Sequence, residues 1–333
     1  MDLSLLQKTL DSLNFPPFRY RQIVKNYFSG RYSDFDQMTD ISLDLRKALS
    51  KKVHFSSIKS ADIFKDDQTE KAVLELQDGQ KIESVLMNYD EWLTVCVSSQ
   101  VGCPLACKFC ATGKMGLIRN LTPEEIVDQV LFWNQKLFPK YVGRIVLMGM
   151  GEPFLNWDNV IEALKTINSE TGLNIGARKI SISTAGVVDK IIEFADLKMQ
   201  YNLAVSLHSA IQKTRESIMP IAKKYSLDQL KDACDYYTRK TNRQIFFEYA
   251  LMKDINDTPD ELTAIIKFIR SNRLFYLNLI PLNPVAGGMT PSLQSSFDNF
   301  VQVLEKTKVN YSIRRSFGQS VNAACGQLAT NCR

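Results

Sequence analysis

Cys103-Pro104-Leu105-Ala106-Cys107-Lys108-Phe109-Cys110 follows closely on the β-rich run Leu93 to Ser98, and this junction of strand and cysteine loop decides how the rest of the chain reads. Three thiols fall within eight residues, spaced Cys-x3-Cys-x2-Cys. A structural zinc ion needs a fourth ligand, and no Cys or His lies close after Cys110 to supply it. A cubane iron-sulfur cluster on three cysteines would instead leave one iron open to an outside ligand, unlike the fully ligated electron-transfer clusters. Phe109 before the last cysteine and Gly113 after it suit a loop folded tightly round such a cluster. A zinc knuckle completed from afar, or buried free thiols, are the alternatives.

Outward from the loop, β-rich runs alternate with helical patterns at the spacing of βα units: Leu93 to Ser98, Arg144 to Met148, Lys179 to Ser183, Asn202 to Leu207, Gln244 to Tyr249 and Phe275 to Ile280. Six such strands predict an α/β fold with a parallel sheet, curled or open. Several end in polar residues where such folds place their sites: Gly149-Met150-Gly151-Glu152, Ser183-Thr184, Ser206-Leu207-His208 and Asn283. Upstream, Lys71 to Leu76 and Lys81 to Leu86 read as a hairpin turning at Asp78-Gly79, and residues 1–55 as short helices, Phe18 to Lys25 and Ser42 to Leu49 among them. Tyr311 to Arg315 reads as one more strand, followed by a small-residue stretch around Cys325.

A chain of 333 residues, 45% hydrophobic and 23% charged, buries a substantial core without staples. No run approaches the roughly 18 to 20 apolar residues of a membrane span, and Met1-Asp2-Leu3-Ser4 lacks a signal-peptide pattern, so a cytoplasmic location with no membrane association is expected. Seven cysteines are an odd number without a secretion signal, pointing to metal or redox chemistry rather than a disulfide framework. With only His54 and His208, imidazole-rich metal sites are nearly excluded. The net charge of +5 is uneven: residues 1–60 and 300–333 are each +4, and the middle is −3. Basic ends suit a polyanion such as RNA, although a solvated surface explains them equally well.

Further motifs are Cys96-Val97-Ser98-Ser99-Gln100-Val101-Gly102-Cys103, Met148-Gly149-Met150-Gly151-Glu152-Pro153, Ser181-Ile182-Ser183-Thr184, Val205-Ser206-Leu207-His208 and Asn322-Ala323-Ala324-Cys325-Gly326-Gln327-Leu328. With the cysteine loop, they make the chain resemble, over nearly its whole length, the RlmN/Cfr family of radical S-adenosylmethionine RNA methyltransferases. The resemblance implies a partial (β/α)6 radical S-adenosylmethionine barrel. A small helical RNA-binding domain (1–55) and a β-hairpin connector (56–90) would precede the core (91–310), and a C-terminal strand and methyl-carrier tail (311–333) would follow. It implies a [4Fe-4S] cluster on Cys103, Cys107 and Cys110, and S-adenosylmethionine held by Gly151, Glu152, Ser183, Ser206, Leu207, His208 and Asn283. Cys325 matches the methyl-carrying cysteine, Cys96 the second catalytic cysteine, and Glu83 the position of a proton acceptor, though a glutamate on a hairpin strand is ordinarily just exposed. Cys234 and Cys332 match nothing and read as a core residue and a surface thiol.

In the chemistry so implied, adenine carbons 2 and 8 are too electron-poor to attack a methyl sulfonium, so Cys325 takes a methyl group from one S-adenosylmethionine by displacement. A second molecule yields the radical that activates this methyl group for addition to the ring. Release follows when Cys96 forms a disulfide with Cys325. Partners would be 23S rRNA, a tRNA and an electron donor such as flavodoxin, with the enzyme a monomer. Pro153 and Ile280-Pro281-Leu282-Asn283-Pro284 favour the carbon-2 branch. Phe317 is the choice of the carbon-8, antibiotic-resistance branch, and Gln319-Ser320-Val321-Asn322 departs from the acidic residues usual in both. A reading of another class is a zinc-stabilised RNA-binding protein without catalysis.

Overall fold

A computed structural model gives the fold for residues 1–285, 289–314 and 317–329. Three helices open the chain: α1 (Leu3–Ser12), α2 (Phe18–Phe28) and α3 (Leu43–Lys52). Asp2 and Ser42 cap α1 and α3 by accepting from the Leu5 and Leu45 amides, so each helix starts where a side-chain acceptor meets free N–H groups. The predicted hairpin is present as β2 (Thr69–Leu76) and β3 (Lys81–Tyr89), but β1 (Ile58–Lys65) precedes it as a third antiparallel strand that the hairpin reading did not include. Most of its residues are exposed because it forms the sheet's edge, with only Ile58, Ala61 and Ile63 packed against the core.

The core follows as β4 (Trp92–Cys96), the small hairpin β5 (Gln100–Cys103) and β6 (Gly116–Asn120) with α4 (Ala111–Met115) between them, then α5 (Pro123–Leu137), β7 (Arg144–Leu147) and α6 (Trp157–Asn168). Next come β8 (Ile180–Thr184), α7 (Val188–Asp196), β9 (Asn202–Ser206), α8 (Gln212–Ile218), α9 (Leu227–Thr241) and β10 (Ile245–Leu251). The chain closes with α10 (Pro259–Arg270), β11 (Phe275–Pro281), α11 (Gln294–Thr307) and β12 (Tyr311–Ile313). All six predicted parallel strands are there, and β12 adds a seventh.

One ten-stranded sheet runs β1-β2-β3-β4-β7-β8-β9-β10-β11-β12, antiparallel up to β4 and parallel from there on. Sequence order and spatial order agree without reversal, so the sheet lacks the switch point of a doubly wound fold and grows in one direction as a partial barrel. Each parallel strand contributes apolar residues to one core, such as Ile145, Ile182, Leu203, Phe247 and Leu277. α5 shows how its helices are fixed. Thr122 and Glu125 form a capping box, Pro123 takes the first turn where no N–H is needed, and Ile126, Val130 and Trp133 face the core. The same helix docks the N-terminal helices through Asp128, 1% exposed, which accepts from the Tyr27 hydroxyl and from the Ser57 amide (2.7 Å) and hydroxyl (2.8 Å).

Candidate active site

The cysteine loop is pinched at its base by β5 and β6, where Cys103 pairs with Gly116. Gly102 sits at φ +77°, and a Cβ there would fall 1.9 Å from the Gly116 carbonyl oxygen, so only glycine lets the two strands close. Within the loop the Cys110 amide donates to the Cys107 carbonyl (3.1 Å), and the Lys108 amide donates to that of Ile218 at the end of α8 (3.0 Å). Phe109 packs edge-on against the His208 ring, centroids 4.4 Å apart.

A cavity of about 170 Å³ opens above the ends of the parallel strands. It is lined by Cys103, Cys107 and Cys110 on the loop side and by Gly151, Glu152, Ser183, Ser206, His208 and Asn283 on the strand side, with Cys325 completing the wall. Three expected residues are absent from it, Cys96 among them, which lines a neighbouring cavity. Leu207 is fully buried beneath the wall, and Glu83 lies elsewhere, as set out below. Among the described residues no three His, Cys, Asp or Glu side chains converge as on a single metal ion. Cys103, Cys107 and Cys110 nevertheless line one cavity, and three thiols in one place are a donor set that fits an iron-sulfur cluster. Burial pushes the Cys103 thiol up to about 12 and Cys107 higher still, so metal loading must displace protons from them.

Glu152 is 4% exposed; its Oε2 accepts from the Ala185 amide (2.7 Å) and its Oε1 from that of Phe154 (3.1 Å). Burial raises its ionisation to about 7 against those hydrogen bonds. Gly151, at φ +101°, brings the backbone so near Gln100 that a Cβ would meet the glutamine Cβ at 2.6 Å. His208 is held neutral, its ionisation lowered to about 3 by burial and then by Arg215. Its Nδ1 accepts from the Ala250 amide (3.0 Å), which leaves the proton on Nε2 as a donor.

A second, smaller cavity of about 40 Å³ lies against the first, and Cys325 lines both. Cys96, Tyr89 and Phe317 line the second. The structure therefore brings together two cysteines that are 229 positions apart in sequence. Both are free thiols, so a disulfide between them is not a fixture of the fold. Burial, followed by the neighbouring Cys325, pushes Cys96 up to about 12. The tail bearing Cys325 is held by Asn283 Nδ2 on the Cys325 carbonyl (3.2 Å), the Ala111 amide on that of Gly326 (2.7 Å) and the Thr112 hydroxyl on that of Leu328 (2.6 Å). Gln319, one of the residues outside the acidic pattern, donates to Asn283 Oδ1 (2.8 Å) and so fixes which way the Asn283 amide faces.

Glu83 is fully buried rather than exposed. It pairs with Lys71 (3.4 Å) and accepts from the Ala329 amide (3.0 Å), and it lines neither cavity. Cys234 is a core residue as expected, while Cys332 lies outside the described residues, as do Arg315 and Ser316. Sequence reasoning missed Arg314 and Glu248, which face the first cavity. Arg314 Nη1 stands 3.3 Å from Glu248 Oε2, and this pairing raises its already high ionisation further. Arg314 also lines the second cavity, placing a cation beside Cys325. Its position after a short strand gave no signal.

A three-thiol loop over the open end of a partial parallel barrel defines a radical S-adenosylmethionine enzyme, and the radical SAM superfamily profile matches residues 97–269. A second profile, the ribosomal RNA large subunit methyltransferase N-terminal domain, matches residues 1–54. Relatives named probable dual-specificity RNA methyltransferase RlmN include those of Clostridium novyi, 42% identical with 99% of this chain and 96% of the relative covered, and of Clostridioides difficile, 43% identical with 98% and 94% covered. The crystal structure of a radical SAM methyltransferase from Sphaerobacter thermophilus superposes with a TM-score of 0.94 at 36% identity, covering 99% of this chain and 98% of that one. The chain belongs to the RlmN family of radical S-adenosylmethionine methyltransferases.

Proposed function

We propose that the protein methylates carbon 2 of an adenosine in 23S rRNA, and of an adenosine in a tRNA anticodon loop, through a methyl group carried on Cys325. The observation that carries this reading is the place of Cys325, on the wall shared by the thiol-lined cavity and the cavity that holds Cys96. A [4Fe-4S] cluster on Cys103, Cys107 and Cys110 would supply an open iron and, with electrons from a donor such as flavodoxin, reductive cleavage of S-adenosylmethionine to a 5′-deoxyadenosyl radical. Two cofactor molecules serve each turnover, one as methyl donor and one as radical source.

The residues of this chain divide the remaining work. Glu152, ionised above about pH 7, offers charge to the cofactor's ammonium, and His208 offers its Nε2 proton as a donor. Gly151, Ser183, Ser206 and Asn283 shape the same wall, and Leu207 supports it from below. Cys325 thiolate takes the first methyl group and S-adenosylhomocysteine leaves with the electron pair of the broken carbon-sulfur bond, a displacement helped by the Arg314 cation beside the thiolate. Once Cys325 is a thioether, its negative charge no longer opposes ionisation of Cys96. After the carried carbon has given up a hydrogen atom and bonded to the adenine carbon, and the ring has lost its proton and one electron, Cys96 thiolate attacks the Cys325 sulfur. The electron pair of the broken carbon-sulfur bond stays with the adenine-bound carbon, which takes a proton to become the methyl group, and the Cys96–Cys325 disulfide is reopened by an external thiol reductant. Glu83 lines neither cavity and is held by both Lys71 and the Ala329 amide, so accepting the ring proton would require it to leave both and turn toward the site.

The deciding measurement is nucleoside mass spectrometry of 23S rRNA and tRNA after reaction with the anaerobically reconstituted enzyme and a reductant. 2-Methyladenosine is expected. 8-Methyladenosine would overturn the choice of carbon, and a colourless zinc-bearing protein without methylation would overturn the enzymatic reading altogether.

A further inference from the structure

α8 carries a charge that the reaction above does not use. Arg215 is 1% exposed, among the largest fully buried side chains of the molecule. Its Nε donates to the Leu207 carbonyl (3.2 Å) and its Nη2 to those of Ala185 (2.7 Å) and Ser206 (3.2 Å). These carbonyls answer its hydrogen bonding but not its charge. Among the described residues no carboxylate forms an ion pair with it, and its Nη1 makes no hydrogen bond. Of the two acids on that wall, Glu152 has its oxygens on the Ala185 and Phe154 amides and Glu248 is paired with Arg314. Burial lowers Arg215 only to about 10, so the guanidinium stays charged at neutral pH. An unpaired buried cation is costly unless something balances it.

What lies next to it is the cysteine loop. The Lys108 amide is bonded to Ile218, three residues along the same helix, and Cys103 and Cys107 pack against the apolar group of Ala185, Ile218 and Met219. Ala185, whose carbonyl accepts from Arg215 Nη2, belongs to that same group, so a single residue separates the guanidinium from the packed thiols.

We propose that Arg215 is the counter-charge of the iron-sulfur site, seated behind the loop to balance the negative charge of the thiolate-bound cluster and to hold its reduction potential up. This rests on the reading of Cys103, Cys107 and Cys110 as cluster ligands. Reduction adds one electron to a site that is already negative, so a fixed positive neighbour stabilises the reduced form more than the oxidised form.

The test is a dithionite titration of anaerobically reconstituted wild type, Arg215→Met and Arg215→Lys, with the reduced cluster followed by electron paramagnetic resonance. Arg215→Met should shift the midpoint to a more negative potential. Arg215→Lys keeps the charge while losing the planar fork on three carbonyls, and should stay close to wild type even if it melts earlier. An unmoved midpoint in the Met variant, or equal shifts in both variants, would overturn the assignment. If the Met variant does not retain its cluster, the Lys variant decides alone: a wild-type potential supports the role and a lowered one refutes it. A wild-type chain that takes up no iron and sulfide would instead defeat the reading of the thiol loop.

Discussion

Cys325 and Cys96 are separable in their effects. Cys325→Ala should abolish RNA methylation while reductive cofactor cleavage continues, measured as 5′-deoxyadenosine formed without methylated nucleoside; RNA methylation by this variant would remove Cys325 from the reaction. Cys96→Ala should leave protein and RNA covalently joined, seen as a slow band on a denaturing gel, and full turnover without that band would end its resolving role. Glu152 and His208 set a pH signature. Glu152 is raised from 4.5 to about 7, so its contribution to stability is present below 4.5 and lost as pH rises through about 7. His208 is lowered from 6.5 to about 3, so its contribution is present above 6.5 and lost as pH falls toward 3. The two oppose each other between 4.5 and 6.5. Glu152→Gln should therefore make the melting temperature of the cofactor-free protein climb more steeply with pH in that window, and an unchanged slope would contradict the raised ionisation. Cys103, Cys107 and Cys110 were legible because their spacing is local. Arg215 was not, although it falls at the i+4 position between Ile211 and Ile218 on an apolar stripe, where an arginine is out of place.

At the scale of elements, the six core strands could be read because each is a short β-rich run at βα spacing, and their order was then constrained by chain connectivity. The hairpin of β5 and β6 could not. Its strands are four and five residues long, flank the cysteine loop and show little alternation, so only the closed loop reveals them. β1 escaped for the related reason that an edge strand need not be apolar. Gly102→Ala tests what this hairpin does. The new methyl would meet the Gly116 carbonyl at 1.9 Å with a backbone already at φ +77°, so β5 and β6 must part. The variant should hold substantially less iron after reconstitution than wild type while retaining its far-ultraviolet circular dichroism. Full iron content would show that the loop keeps its shape without the hairpin.

Across the whole molecule, Asp128 joins the N-terminal helices to the core. Asp128→Leu would leave the buried Tyr27 hydroxyl without its acceptor, at about 1–3 kcal/mol, and would also free the half-buried Ser57 amide. The expected result is a separate, earlier melting transition and faster proteolytic cutting near residues 53–57. A single unshifted transition would mean that apolar packing alone holds the two together. Basic character at the two chain ends was visible in the sequence, but the contact through Asp128 was not, because a lone aspartate in the middle of an amphipathic helix resembles a surface residue.

The anchoring of the tail to the cysteine loop has a consequence for how the molecule is made. Thr112 and its acceptor Leu328 are 216 residues apart. At roughly 5–20 residues per second, the loop leaves the ribosome on the order of 10–40 s before the segment that completes its wall. During synthesis the three thiols stand without that wall, and only the later segment, bringing Cys325, closes the cavity around them.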